Sequence, residues 1–583
     1  MTIPQVKPFI VLDHVTSVYT SPGGAEFFAL RDLSLEINEG EYVALLGANG
    51  SGKTTLARHL NGLLLPTKGK VWVNGLDTSL PSSRETVHSR VGMVFQSPND
   101  QVIATVVEED VAFGPENLGL APAEILARVE QALRRVGLWE QRRRSPHALS
   151  GGQMQRLALA GVLAMRPGCV IFDESTSMLD PAGRRMVRDW MEALHADGIC
   201  VIFITHFMGE AARADRVVVL DHGQVALDGP PAVVFSNPDR LTALGLEQPP
   251  ALRMARVMNC CFPEVSPNLL TTEALLAALA ALPPIWDSSP EIALSKETCK
   301  GDIVLEAEHL DHIYMNGTPF AGTALVNANI RICAGEPHGL LGATGAGKTT
   351  MLQHLNGLLR PQRGNVKVFG KQTGNPATDL RAVRRQVGLV FQNPESMFFE
   401  QYVGDEIAYG PRQWGMDDLA GRVRRAMGLV GLDFEKFKDR LTFTLSGGER
   451  RKVALASTLA LEPEALLLDE PTAGLDPIAR RELLDFLAGM AGEGRAMALS
   501  SHQMGDVAFL TRRLTVFDHG HNVLEGLTGE VFARGDELKK VGLEPPLATQ
   551  AAEVLRSRGW TLPTDIVTPE ELTTALEARF VRI

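Results

Sequence analysis

The feature that most limits what this chain can fold into is that it is written twice. GANGSGKTT at Gly47 to Thr55 returns as GATGAGKTT at Gly342 to Thr350, 295 residues on. VGMVFQSP around Gln96 returns as VGLVFQNP around Gln392, LSGGQ at Leu149 as LSGGE at Leu445, Asp173 as Asp469 and His206 as His502, all 296 residues on. Solenoid repeats run to 20–50 residues, so this period marks a duplicated domain whose internal spacing is nearly fixed. The copy continues past these motifs. LTALGLEQPP near Gly245 matches LKKVGLEPP near Gly542, and LLTTEALLAAL near Thr272 matches IVTPEELTTAL near Thr568. Each half therefore carries its own small C-terminal appendage. The expected boundaries are 8–240 and 302–531 for the two main domains, 241–283 and 532–583 for the appendages, and 284–301 for a linker rich in Pro, Ser and mixed charge.

Each half reads as α/β. EYVALLG ends in a Gly-rich loop and the following TTLARHLNGLL has helical spacing, so the order is strand, loop, helix. CVIFDE and ALLLDE are short apolar runs that end in two acids, as buried parallel strands do. The glycines Gly47, Gly50 and Gly52, with Asn49 and Ser51 between them, allow backbone N–H groups to turn inward around a polyphosphate. Gly342, Gly345 and Gly347, with Thr344 and Ala346, repeat the arrangement. The pattern assigns Lys53 and Lys348 to the β- and γ-phosphates and Thr54 and Thr349 to Mg²⁺, and Asn49, Ser51, Thr55, Thr344, Ala346 and Thr350 are expected to bind the nucleotide with them. Asp173 and Asp469, each at a strand end about 120 residues later, are expected beside that Mg²⁺. Glu174 and Glu470 follow them and are expected to act as general base or water-positioner. Ser150, Gly151 and Gly152, and again Ser446, Gly447 and Gly448, open a helix and make a second anion-binding helix start.

These motifs together resemble the ATP-binding cassette family over nearly the whole chain, twice. The implied fold is two tandem P-loop ATPase domains of that type, each with its appendage. The implied activity is ATP hydrolysis with ATP and Mg²⁺. The resemblance implies further roles. Tyr19 and Tyr314 would stack on adenine. Gln96 and Gln392 would sense Mg²⁺ and a membrane partner. His206 and His502 would contact the γ-phosphate, and Asp180 and Asp476 would lie at a dimer seam. It also implies head-to-tail pairing of the halves, each presenting its LSGG helix to the other's ATP. No catalytic position is degenerate. The departures are mild: Ser175 and Met178 stand where the second half has Pro471 and Gly474, and Glu449 replaces the more usual Gln.

The segments after Gln96 and Gln392, with DESTSMLDP and DEPTAGLDP, resemble the two ATPases of energy-coupling factor importers, here fused. That implies a transmembrane coupling subunit and a substrate-binding membrane subunit as partners, for a vitamin or a transition-metal ion. Asp100, Glu108, Glu109 and Asp110, with Glu395, Glu400, Asp405 and Glu406, are expected to dock an Arg-bearing helix of the coupling subunit. Two alternatives also fit fused cassettes: a soluble tandem-cassette ATPase acting on ribosomes, and a fused sugar-importer ATPase. Lys plus Arg is 57 against 69 for Asp plus Glu, a net charge of −12, which speaks against nucleic acid as a partner. The longest apolar stretch, Ala274 to Ile285, is broken by Pro283 and Pro284 and is shorter than the roughly 20 residues a membrane helix needs. No secretory signal is visible at the N-terminus. The expected location is the cytoplasmic face of the membrane, peripherally bound. Six Cys are too few for a disulfide scaffold. Cys169, Cys200 and Cys333, in apolar runs, are expected as buried thiols.

Overall fold

The computed structural model describes residues 8–20, 26–177, 179–284, 301–318 and 321–580, without the side chains of 395, 579 and 580. Met178, Glu395's side chain and the 284–301 linker between its two end residues lie outside what is described. The chain forms two compact units, Met1–Leu179 with Gly183–Leu252, and Asp180–Ala182 with Arg253–Ile583.

Among the described residues the first unit has ten strands. β1 (Pro8–Thr20), β2 (Glu26–Asn38), β4 (Lys68–Val73) and β5 (Leu76–Asp77) make an antiparallel sheet in the order β2-β1-β4-β5. β3 (Tyr42–Leu46), β6 (Val91–Val94), β7 (Cys169–Asp173), β8 (Cys200–Ile204), β9 (Arg216–Asp221) and β10 (Gln224–Gly229) make the second sheet, in the order β10-β9-β3-β8-β7-β6. β3, β7 and β8 are buried at every position. This explains their unbroken apolar sequences: a parallel strand covered on both faces has no polar side to show. Ile10, Val43, Leu45, Leu56, Leu60, Val71, Ile171 and Ile202 come from both sheets and from the Lys53–Leu60 helix, and they form one core.

β3 pairs with β8, and β8 with β7, all parallel. The loop after β3, the acids at the end of β7 and the residues just beyond β8 therefore meet at one edge of the sheet. This is where open parallel sheets place ligands.

The second unit repeats the plan. β11 (Ile303–Tyr314), β12 (Gly322–Cys333), β14 (Arg363–Val368) and β15 (Lys371–Gln372) form one sheet. β13 (His338–Leu341), β16 (Val387–Val390), β17 (Ala465–Asp469), β18 (Ala496–Ser500), β19 (Arg513–Asp518) and β20 (His521–Leu527) form the other, in the order β16-β17-β18-β13-β19-β20. It also contains helices from both appendages. The Thr272–Ala280 helix packs on the Leu547–Ser557 helix, and Phe262 meets Trp560 edge to face with centroids 5.0 Å apart. Cys333, at the end of β12, is disulfide-bonded. This corrects the expectation of a free thiol there, while Cys169 and Cys200 are free and buried. Among the described residues no helix is long and apolar enough to cross a membrane.

Candidate functional site

The loop after β3 turns on residues with positive φ. Gly47 has φ 148°, and a Cβ there would lie 2.4 Å from the Leu220 carbonyl oxygen. Gly52 has φ 104°, and a Cβ there would lie 2.4 Å from the Ala29 carbonyl oxygen. Both positions therefore need glycine for room as well as for conformation. The Lys53–Leu60 helix begins immediately after. Lys53 is buried, and its Nζ donates to the carbonyls of Gly47 at 2.8 Å and Ala48 at 2.9 Å. Lys348 does the same with Gly342 at 2.7 Å and Ala343 at 3.0 Å. Burial lowers the Lys348 pKa, opposed by Glu470 and Asp469. Asn49 and Gly50, like Thr344 and Gly345, stand in the loop between these points, while Ser51 and Ala346 are buried beneath it.

The hydroxyl of Thr54 donates to Asp173 Oδ1 at 3.1 Å, and that of Thr349 to Asp469 Oδ2 at 2.8 Å. A hydroxyl and a carboxylate are hard oxygen donors of the kind Mg²⁺ prefers. Among the described residues no group of three His, Cys, Asp or Glu could hold a metal by itself. The Thr–Asp oxygen pair in each half fits an ion whose other ligands are phosphate oxygens and water. Burial, with the charge of Glu174, pushes Asp173 up to about 6. Burial also raises Asp469.

Glu174 and Glu470 both adopt φ 48°, in the left-handed region. That turn carries each carboxylate off the strand line toward the neighbouring β8 or β18 extension. His206 Nε2 lies 2.8 Å from Glu174 Oε1, and Gln96 Nε2 donates to Glu174 Oε2 at 3.0 Å. In the second half His502 Nδ1 lies 2.8 Å from Glu470 Oε2, and the His502 N–H reaches the same oxygen at 3.3 Å. Burial pushes both glutamates up, but the histidine hydrogen bonds and charge outweigh it and hold both below the usual range. Each site thus pairs an aspartate that resists ionisation with an adjacent glutamate kept ionised.

Tyr19 and Tyr314 are partly exposed, and their hydroxyls lie 3.5 Å and 3.2 Å from Thr55 Oγ1 and Thr350 Oγ1. Ser150 and Ser446 cap the helices Gly151–Ala164 and Gly447–Leu459. Each forms a reciprocal capping box, with Gln153 and with Glu449. Glu449 also takes Arg440 at 2.9 Å, so its charge is paired locally. Gly151 and Gly447 are exposed, and Gly152 and Gly448 partly so, at the two helix starts. Asp476 caps the Pro477–Gly492 helix by accepting from the Ala479 N–H at 2.9 Å, and Asp180 immediately precedes the Pro181–Ala196 helix.

The acidic segments divide. Asp100 and Glu109 are exposed. Glu108 lies 3.8 Å from Arg142, and Arg412 lies 3.5 Å from Glu400 and 2.9 Å from Asp405. Glu406 is a correction. It is 4% exposed, and its Oε2 accepts the N–H groups of Phe399 and Glu400, both at 2.8 Å. Asp110 is spent in the same way on Ile103 and Ala104. Both carboxylates tie the preceding loop to the first turn of a helix; Glu406 is buried there, whereas Asp110 is half-buried. Two further site residues lie where the halves differ, outside every shared motif. Arg451 and Ser500 stand where the first half has Gln155 and Ile204. Ser500 donates to Asp469 and accepts from the Glu470 N–H.

The family model for ABC transporters matches residues 30–177 and 325–473. The chain is 36% identical, over 602 aligned positions, to a candidate ABC transporter ATP-binding protein of Methanosarcina acetivorans, covering 99% of this chain and 94% of that one. This chain belongs to the ABC transporter family and is an ATPase with two cassettes in tandem. It is also 50% identical, over 283 residues, to the energy-coupling factor transporter ATP-binding protein EcfA1 of Symbiobacterium thermophilum, covering 48% of this chain and 99% of that one. A solved chain, cbiO1 from Clostridium perfringens, part of the ABC transporter complex cbiONQ, is 32% identical, with a TM-score of 0.36 over 41% of this chain and 94% of that one.

Proposed function

We propose that this chain is the ATP-hydrolysing subunit of an energy-coupling factor importer, a fusion of that transporter's two ATPases on the cytoplasmic face of the membrane. The observation that carries the proposal is the 283-residue match to a named energy-coupling factor ATPase, which covers 99% of that protein. Its 283 residues exceed either stretch that the cassette model matches, 30–177 or 325–473.

In the proposed chemistry the loop amides and Lys53 or Lys348 bind the β- and γ-phosphates. Tyr19 and Tyr314 stack on adenine. Thr54 with Asp173, and Thr349 with Asp469, would hold Mg²⁺ together with Gln96 and Gln392. When bound, Mg²⁺ neutralises charge across the phosphate oxygens. Glu174 and Glu470, kept ionised, orient and deprotonate the attacking water, while His206 and His502 fix their carboxylates. The signature serines Ser150 and Ser446 would serve the nucleotide of the opposite half, and Asp180 and Asp476 the seam. Loss of the γ-phosphate contacts on hydrolysis would release the closed state to the membrane partner.

The docking surface narrows to Asp100, Glu109 and the groove beside the Val403–Gln413 helix. That groove has a volume of about 310 Å³ and is lined by Tyr402, Asp405, Ala408, Arg412, Val423 and Phe434. Its lining is apolar with two acids, Asp405 and Asp439, and two bases, Arg412 and Lys438, so an amphipathic helix would enter it and its Arg would compete with Arg412 for Asp405.

The test is a membrane pull-down of the tagged chain from its own cells, with partners identified by mass spectrometry. The expected result is a multi-span membrane protein plus a small substrate-binding membrane protein, both lost from Asp100→Lys/Asp405→Lys. Ribosomal proteins with no membrane protein would overturn the importer assignment and leave the ATPase intact.

A further inference from the structure

The backbone carbonyl of each glutamate needs a donor, because the left-handed turn at Glu174 and Glu470 takes it out of the sheet ladder. The two halves supply that donor differently. In the first half Ser177 gives both its N–H, at 3.0 Å, and its hydroxyl, at 2.9 Å, to the Glu174 carbonyl. In the second half the matching residue is Ala473, which gives only an N–H at 3.3 Å. The missing donor comes from the signature helix, where Arg451 Nη1 reaches the Glu470 carbonyl at 2.6 Å. Its Nη2 reaches the Gln392 carbonyl at 3.0 Å. Arg451 is only 9% exposed, and burial lowers its pKa to about 10, opposed by the charge of Glu470, so it remains a cation at neutral pH.

Its counterpart Gln155 is buried too, and among the described residues Gln155 Nε2 has no hydrogen-bond partner. The first half makes its link between these segments by side chain instead, from Gln96 Nε2 to Glu174 Oε2. Gln392 makes no such bond to Glu470 among the described residues. The substitutions therefore compensate one another: Gln155 with Ser177 and the Gln96 bond in one half, Arg451 with Ala473 in the other. A buried cation is costly unless its donors are met, and here two main-chain carbonyls from two separate segments meet them.

We propose that Arg451 is a positioning residue of the second half, a two-pronged clamp that fixes the Gln392 segment to the Glu470 backbone. Movement of the segment after Gln392 is then passed to Glu470 through the guanidinium, and in the first half through the Gln96 side chain. This rests on the reading of Glu470 as the water-activating group.

Steady-state ATP turnover of the full chain tests it. Arg451→Gln, which installs the first-half residue, slows the second site by misplacing the carboxylate, so kcat of the full chain falls by about half or more, with KM within about twofold. Adding Ala473→Ser to it restores a hydroxyl for the Glu470 carbonyl without restoring the link to Gln392, so kcat stays low. Wild-type kcat in Arg451→Gln overturns the clamp. Full recovery with Ala473→Ser also overturns it, since carbonyl satisfaction alone would then suffice. Should Arg451→Gln fail to fold, Arg451→Lys keeps the buried charge but has no fork to span both carbonyls. The same fall in kcat is expected of it, and wild-type kcat there overturns the proposal too. Glu470→Gln is run alongside. Unchanged turnover in that variant removes the reading of Glu470, and the clamp with it, whereas reduced turnover in Glu470→Gln with full turnover in Arg451→Gln removes the clamp alone.

Discussion

Asp173 and Asp469 are the same residue at the same place in the repeat, yet their surroundings differ. Asp469 accepts hydroxyls from both Thr349 and Ser500, while Asp173 has Thr54 and faces Ile204 across the strand pair. Burial accordingly pushes Asp173 up to about 6 from 3.8. A carboxyl whose pKa is raised on folding favours the folded state while protonated, below about 3.8. That favour is lost as pH rises through about 6. A shift of this size corresponds to about 3 kcal/mol. Asp173→Asn should therefore stabilise the first unit of the nucleotide-free protein above pH 6, with the gain shrinking to nothing by about pH 4. Amide hydrogen-exchange protection of strands β3, β7 and β8, compared with the parent protein at each pH across that range, checks it; a gain that grew toward low pH would refute the assignment. The aspartate and glutamate identities were legible in the sequence because the repeat aligned them. Their inequality was not, because Ser500 and Ile204 lie outside every motif and matter only once β8 and β18 are paired with their neighbours.

At the scale of elements, the segments after Gln96 and Gln392 show why charge alone misleads. Asp110 and Glu406 sit in the first turns of the Val107–Asn117 and Val403–Gln413 helices. An acid there is favoured by the helix's positive end and by nearby N–H groups that lack intrahelical partners. In both segments the carboxylate turns back to bind two amides of the loop just before the helix. That helix-start position, shared by both halves, was the available signal for a structural role, and composition outweighed it. Strand–loop–helix order and the buried strands were readable because apolar runs between Gly-rich turns have few other uses. Glu406→Ala leaves the Phe399 and Glu400 amides without their acceptor and should cost about 1–3 kcal/mol. Asp100→Lys, an exposed change, should leave stability within about 0.5 kcal/mol. Amide hydrogen exchange of peptides from the Val403–Gln413 helix in Glu406→Ala and from the Val107–Asn117 helix in Asp100→Lys checks the contrast, and an equal effect would restore Glu406 to the docking set.

At the scale of the molecule, the sequence presents two appendages, one per half, and the repeat gives no reason to join them. The structure places Arg253 onward in the second unit, where the first appendage's Leu275 and Leu279 are fully buried. On the Leu547–Ser557 helix, Ala548, Ala551, Ala552 and Leu555 are buried at helical spacing. Two short amphipathic helices of this kind have too little apolar surface to be stable alone, so packing on a like surface is the nearest way to bury both. Periodicity shows which face is apolar and cannot show what covers it, which is why this pairing was not legible. Phe262 carries the test across the repeat. It belongs to the first appendage, is 5% exposed, and stacks edge to face on Trp560 of the second. Phe262→Ala opens a cavity in that contact and should cost about 3–5 kcal/mol locally. The chain has two units, so one melting temperature would blur this loss, and amide hydrogen exchange resolves it instead. Peptides from Leu547–Ser557 should lose protection although the substitution lies nearly 300 residues earlier in the chain, while strands β13, β17 and β18 keep theirs. Loss confined to residues near Phe262 would mean that the appendages stand independently, each stabilised by its own half.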